Sequence, residues 1–213
     1  NSFVNLSESF TLSALGGLNV NERYTRNLTT QVVGLDIPGF YHISNSSGAP
    51  IIGNQSTLRR LIGVYAQAEL SYKDFWFLTG TVRNDWSSTL PEDNRSFIYP
   101  AFNTSFVFTE ALGWENNFLN FGKLRASWGQ TGNDALPYLV QSTLVTGDIY
   151  NNFGTLKFPF NGINAFEVGN RIGNSSLKPE ISTEFEFGGD FKLLGNRMGL
   201  SVSFYDKRTD GQI

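Results

Sequence analysis

The sequence predicts an all-β fold of antiparallel up-and-down strands that cross a membrane as part of a barrel wall. Three observations predict it. Alternation at period 2 recurs along the chain, while helical periodicity is nearly absent. Each alternating segment carries one apolar set and one polar set. The connections are short at one end of the strands and long at the other, as in bacterial outer-membrane barrels.

Seven segments alternate: 3–24, with an interruption at Gly16-Gly17, then 58–72, 75–88, 97–109, 121–132, 181–193 and 197–209. Tyr72-Lys73-Asp74-Phe75 reads as a tight turn. Leu194-Gly195-Asn196-Arg197 reads as another, since Gly-Asn suits a primed hairpin turn. The link 110–120 is short enough for one helical turn. The links 25–57, 89–96 and 133–180 are long and rich in Gly, Asn, Ser and Pro. In a soluble sandwich, structureless loops of more than about 15 residues are uncommon.

The faces separate cleanly. In 58–72, Ile62, Val64, Ala66, Ala68 and Leu70 oppose Tyr65, Gln67, Glu69 and Ser71. In 121–131, Leu124, Ala126 and Trp128 oppose Lys123, Arg125 and Ser127. In 181–191, Phe185 and Phe187 oppose Glu184, Glu186 and Asp190. The segment 75–88 places Trp76, Leu78, Gly80, Val82 and Trp86 on one side, and Thr79, Thr81, Arg83 and Asp85 on the other. Ten residues at ~3.3 Å each set Trp76 and Trp86 ~33 Å apart along the strand. At a tilt of about 40° they span ~25 Å vertically, the height of the apolar band between aromatic girdles. Trp76, Trp86 and Trp128 are therefore expected at membrane interfaces. Phe75 and Phe77 fall on the wet side and have no place in this scheme.

Composition agrees. Of 213 residues, 40% are hydrophobic, 15% aromatic and only 16% charged. Low hydrophobicity without high charge is not a disorder signature. A net charge of -3 excludes a basic nucleic-acid footprint. No Cys is present, so disulfides, thiol nucleophiles and zinc fingers are excluded. That also suits a chain that crosses an oxidising periplasm. No run of 18 apolar residues exists, so no transmembrane helix is expected. Asn1 opens inside a strand-like segment, and the chain stops at TDGQI without a stop signal. We expect a piece of a longer chain.

Candidate functional residues lie on the wet faces and the loops. Arg83, Asp85, Lys123, Arg125, Glu184 and Glu186 are candidates to face a lumen. The plainer reading is structural pairing, because opposite charges across strands stabilise a sheet by ~0.2–1 kcal/mol. Lys178-Pro179-Glu180 reads as a strand start, where Pro is tolerated. Pro91-Glu92-Asp93-Asn94, and Asp148 with Asn151 and Asn152, offer oxygens for calcium, but their spacing is not that of an EF-hand. Polar turns are the better reading. No metal and no cofactor is expected. No HExxH, GxSxG or P-loop occurs. His42 has no placed Asp or Ser partner, and Glu92-Asp93 would point apart on a strand, so the chain is not expected to be an enzyme.

Four blocks carry a family likeness. LKPEISTEFEFGGDFKLLGNRMGLSVSFYDKRTDGQI (177–213), KLRASWGQTGN (123–133), LTGTVRNDWSS (78–88) and GLDIPGFYHISNS (34–46) resemble, in order and spacing, the SusC/RagA-type TonB-dependent transporters of Bacteroidetes. The resemblance implies a barrel of about 22 strands, of which some seven are present here. It implies a location in the Gram-negative outer membrane, contact with outer-membrane lipid and coupling to the TonB complex. It also implies a SusD-like surface lipoprotein as partner, and oligosaccharides or peptides as substrates. The plug, the TonB-contacting segment and the signal peptide are expected elsewhere. On this reading Phe40 and Tyr41 stand on an extracellular loop, where they suit a ligand or the partner. Two alternatives stay open. One is a soluble all-β carbohydrate-binding module with the aromatics as its platform. The other is a different outer-membrane barrel, a siderophore receptor or porin.

Overall fold

A computed structural model describes residues 2–114, 117–151 and 153–211. Asn1, the Glu115-Asn116 pair of the 110–120 link, Asn152 of the second calcium candidate and the closing Gln212-Ile213 lie outside the described residues. One antiparallel sheet holds β1 (Ser2–Asn5), β2 (Phe10–Gln31), β3 (Ile51–Tyr72), β4 (Trp76–Ser87), β5 (Ser96–Val107), β6 (Leu119–Asn133), β11 (Glu180–Leu193) and β12 (Met198–Asp210). Every strand pairs with the next of this series, which is an up-and-down meander.

The short connections share one end. Lys73 and Asp74 both take positive φ (45° and 57°), the signature of a primed hairpin turn. Leu194, Gly195 and Asn196 do the same at the β11–β12 turn. A single helical turn, α1 (Phe108–Ala111), starts the link to β6. The long connections stand at the other end.

Five sequence expectations are corrected. The first segment is two strands, broken at 6–9 and not at Gly16-Gly17. Ser7 Oγ accepts from the backbone N–H groups of Ser9 and Phe10, both at 3.2 Å, and so forms a local turn. Among the described residues the sheet therefore has eight strands, one more than the seven alternating segments. Gly16 and Gly17 continue β2, because Gly17 lies beneath the Tyr65 ring. A Cβ there would sit 2.3 Å from Tyr65 Cζ. Third, β2 and β3 run on to Gln31 and back from Ile51, which shortens the 25–57 link to 32–50. That stretch carries Thr, Asn and Gln on both faces, so no apolar contrast marks it in the sequence. Fourth, the 133–180 link is not structureless. It holds two short ribbons, β7 (Leu144–Thr146) paired with β10 (Phe166–Val168), and β8 (Ile149–Asn151) paired with β9 (Gly154–Leu156). Phe75 also leaves the wet side. It sits in the turn and packs edge-on against Tyr72 (5.3 Å) and Phe106 (6.0 Å) of the apolar face.

The apolar face forms one band, and the band slants. Its edge toward the long loops is Val20, Ile62 and Trp86 on β2, β3 and β4, which stand in one register row. On β12 the edge is Phe204, before Asp206. The row of Phe204 runs back through Phe187, Ala126 and Thr104 to Leu78. Over six strand-to-strand steps the edge has moved from position 86 to position 78 of β4. At ~3.3 Å per residue and ~4.8 Å per step this is ~26 Å against ~29 Å, a slant of ~42°. Barrel strands tilt by about 35–45°.

The band is exposed: Leu18 is 67%, Val20 61%, Phe102 54% and Phe204 67% accessible. Beyond its edge the same face turns polar, with Arg60 Nε donating to Glu22 Oε2 at 2.8 Å. The buried apolar core is small and sits at the long-loop end on the polar face, where Leu90, Phe97, Ala135 and Leu177 meet.

Candidate functional site

The chemistry-bearing side chains gather on the polar face. Register assembles a rung from Gly17, Tyr65, Arg83 and Tyr99, which are Cα partners across β2, β3, β4 and β5. The Arg83 guanidinium stands 5.9 Å over the Tyr65 ring, and its Nε donates to Asp85 Oδ1 at 2.8 Å. Tyr99 Oη donates to the other carboxylate oxygen at 2.7 Å. Asp85 is buried, so a lone carboxylate there would be costly, and two charge-assisted bonds compensate it. Gly63 makes this possible, because a Cβ at Gly63 would lie 2.3 Å from Asp85 Oδ1.

A second group fills the polar face toward the short turns. Lys123 Nζ lies 3.2 Å from Asp190, Arg125 Nη2 3.6 Å from Glu186, and Lys207 Nζ 4.0 Å from Glu184. Arg125 Nη2 also donates to Ser203 Oγ at 2.5 Å. The two cations of β6 thus meet acids of β11, while Glu184 turns to β12. Phe77, Glu69 and Thr79 border the same hollow, and Thr79 Oγ1 donates to Glu69 Oε2 at 3.2 Å. These pairs are half-exposed, so each adds about 1 kcal/mol or less.

Sequence reasoning missed the most buried polar cluster. Asp134, just past β6, accepts from Arg59 Nε at 2.9 Å and from Thr89 Oγ1 at 3.1 Å, and it contacts Arg59 Nη2 and Ser87 Oγ. It joins β3, the end of β4 and two long loops. Burial pushes its carboxyl pKa up, but the bonds from Arg59, Ser87 and Thr89 and the Arg59 charge outweigh this and hold it below 3.8. Arg59 shares the alternation of Tyr65, Gln67 and Glu69 and so falls on the wet side of 58–72. Its partner stood in a loop with no periodicity to place it.

On the 32–50 connection, Asn45 is buried and organises the turn. Its Nδ2 donates to Ile37 O (2.9 Å) and Phe40 O (2.7 Å), and its Oδ1 accepts from Ile37 N (3.1 Å). Tyr41 is left 88% exposed, and Phe40 stacks at 5.7 Å on His42. His42 Nδ1 accepts from Ser44 N, a local cap. Asn94 donates to Leu177 O at 3.0 Å and so ties two loops together. Asp148 accepts from Phe158 N. Among the described residues no group of three or more His, Asp or Glu converges on a cation position. Trp76, Trp86 and Trp128 all stand on the apolar face. Trp76 Nε1 donates to Thr104 Oγ1 at 3.0 Å, and Trp128 stacks on Phe102 at 6.0 Å.

The arrangement suits binding through ion pairs, hydroxyls and aromatic edges along the polar face. One expectation is corrected here: His42 does have a Ser partner, since Ser44 Oγ stands 2.7 Å from His42 Nδ1, brought there by the local turn of the exposed 32–50 connection.

Known proteins agree with the architecture. The family model for "TonB dependent receptor-like, beta-barrel" matches residues 2–213. A TonB-dependent receptor of Formosa agariphila is 27% identical over 96% of the chain, which spans 20% of that receptor. The TonB-dependent receptor SusC of Bacteroides thetaiotaomicron is 29% identical over 73% of the chain and is spanned to 15%. Among solved structures, the RagAB peptide transporter superposes with a TM-score of 0.81 at 20% identity, covering 97% of this chain and 22% of the other. The chain thus spans about a fifth or less of the relatives it matches.

Proposed function

The chain belongs to the TonB dependent receptor-like β-barrel family, as a SusC- and RagA-like barrel segment, and from that premise we propose that it is part of the wall of an outer-membrane importer. The observation that carries the proposal is the ~42° slant of the exposed apolar band, which is the tilt of strands in a closed barrel. In this reading the band meets outer-membrane lipid, and Trp76, Trp86 and Trp128 belong to its aromatic girdles. Arg83, Asp85, Lys123, Arg125, Glu184 and Glu186 face the lumen.

The whole protein in this reading is a barrel of about 22 strands with a plug. It draws energy through TonB, takes up oligosaccharides or peptides and works with a SusD-like surface lipoprotein. Phe40 and Tyr41 stand outside the membrane and are offered to ligand or partner. The short turns then lie on the periplasmic side and the long connections outside. A soluble carbohydrate module fits less well. A sugar platform gathers aromatics in one place, whereas here they spread along both edges of a slanted band.

The test is the native polypeptide itself. Cells are fractionated, and the protein is followed on gels with and without boiling. About 22 strands at roughly 30 residues each require some 660 residues before any plug. A large, detergent-requiring, heat-modifiable band in the outer membrane is the expected result. A soluble species of 23.7 kDa would overturn the proposal.

A further inference from the structure

The connection from β6 to β11 is fastened at both of its feet, and both feet reach one place. Ala135 near its start and Leu177 near its end are buried in the same small core, with Leu90 of the β4–β5 link and Phe97 of β5. Polar bonds pin each foot separately. The Asp134 carboxylate ties the first foot to Arg59 of β3 and to Thr89 of the β4–β5 link. Asn94 Nδ2 of the same link donates to Leu177 O at 3.0 Å and ties the second foot. Tyr138 takes a positive φ of 64°, and its Oη accepts from Leu58 N at 3.2 Å. β4 has parted from β3 by then, since Leu61 and Ser87 are their last register pair. The hydroxyl thus gives a partner to a stretch of β3 edge that β4 no longer covers. A bulky residue holds such a φ only where its surroundings fix it.

Above the feet the two halves of the connection touch and then zip. Asn174 N donates to Leu139 O at 2.9 Å, and Gly173 N to Ser142 Oγ at 3.0 Å. A Cβ at Gly173 would lie 2.3 Å from Gln141 C and 2.4 Å from Gln141 Cα and Ser142 N. All three are backbone atoms, so glycine alone fits without moving the chain. Further out Gly169 N bonds Thr143 O, β10 pairs with β7, and Gly147 N bonds Ala165 O. We propose that this connection is a fixed arm and not a lid. The clasp at its feet sets the angle of the paired stretches 139–147 and 165–174 to the sheet, and the β4–β5 link belongs to the same rigid body. A lid turns where a few backbone residues are free to change φ and ψ. Here the neck at Gly173 and Gln141 is where two backbones press closest. An arm held in place offers its far end without an ordering cost, and preorganisation of this kind strengthens binding. A push on the β4–β5 link is also carried to the arm through Asn94 and Thr89. Every contact invoked is made inside this chain, and none depends on what the polar face transports.

The test uses the purified full-length protein with a pair of spin labels, carried by Ser56→Cys on β3 and Glu167→Cys on β10 in a background free of other cysteines. Both positions are exposed, and neither takes part in the clasp. Pulsed dipolar spectroscopy reads the distribution of distances between the labels. One narrow distribution is expected with the clasp intact. Leu177→Ala empties the core at the second foot, and Gly173→Ala wedges the neck. Each should broaden the distribution about twofold or split it, as release of a local unit does. Asn94→Ala removes only the grip on Leu177 O and should broaden it less, so the clasp is still tested if Leu177→Ala fails to fold. A cooperative unfolding transition identifies the variants that do fold. A broad or split distribution with the clasp intact would mean that the arm swings. A distribution left narrow and unmoved in every folded variant would mean that the clasp does not set it. Either result overturns the fixed arm.

Discussion

Arg59 and Asp134 are 75 positions apart in the chain, yet Arg59 Nε donates to Asp134 Oδ2 across 2.9 Å. The pair closes the long-loop end of β3, β4 and β6 and holds the foot of the longest connection against the polar face. The Asp134 side chain is 1% exposed and that of Arg59 28%. Replacing Arg59 with Leu leaves a buried carboxylate with two hydroxyl partners and no counter-charge. We expect a loss of about 3 kcal/mol, at the lower end for a broken buried pair, read as a fall in the unfolding midpoint of the full-length protein in detergent. A midpoint unchanged in Arg59→Leu would show that the hydroxyls of Ser87 and Thr89 suffice.

The same carboxylate makes an acid-stability prediction. Its folded pKa is depressed below 3.8. A depressed carboxylate contributes stability that is complete above the unfolded value and is lost as pH falls through the folded one. The unfolding temperature should therefore be insensitive to this group above about pH 5 and should decline below pH 3.8. In Asp134→Asn the decline below pH 3.8 should be shallower. Parallel wild-type and variant curves between pH 6 and pH 2 would count against the assignment.

The two faces of β4 should respond oppositely to one charge. Val82 is in the middle of the apolar band and 41% exposed, and Thr81 is its neighbour on the polar face. Val82→Arg should cost ~2–4 kcal/mol of folding into bilayers, as an arginine near the midplane of a barrel exterior does. Thr81→Arg should cost well under 1 kcal/mol, as surface substitutions do. Refolding into liposomes, followed by the heat-modified gel shift, measures both. Equal tolerance would place Val82 in water.

Gly63 should be tied to Asp85 and not to β3 itself. An added methyl meets Asp85 Oδ1 at 2.3 Å and Arg83 Nη2 at 2.6 Å, and Asp85 is held by Arg83 and Tyr99 and cannot swing away freely. Gly63→Ala should destabilise by ~1–3 kcal/mol, the usual cost of overpacking. In an Asp85→Ala background the same change should cost less than half as much. A double-mutant cycle on the unfolding midpoint gives the coupling, and additivity would refute the contact.

How much of this was legible in the sequence depends on whether contrast or contact decided it. Alternation at period 2 needs only the residues themselves. It located the six strands from β3 to β12 that cross the band, with errors only where contrast fades. The Thr- and Asn-rich stretch beyond Glu22 and Arg60 is such a place, since both faces are polar there. The division into apolar and polar faces, the short turns at Lys73-Asp74 and Gly195-Asn196, and the pairing of Lys123 and Arg125 with the acids of β11 follow from composition and order.

The tertiary structure decided what depends on register and on loops. Register alone sets Arg23 against Arg59, puts Gly17 beneath Tyr65 and turns a set of apolar stripes into a band slanted by ~42°. No single strand contains that angle, because it is a displacement accumulated over six steps. Loop residues have no period, so Asp134 was invisible as the partner of Arg59, and Asn45 as the organiser of the Phe40-Tyr41 turn. The fold class is written along the chain because each strand solves its own solvation problem. The sites are written between strands, and only pairing brings their residues together.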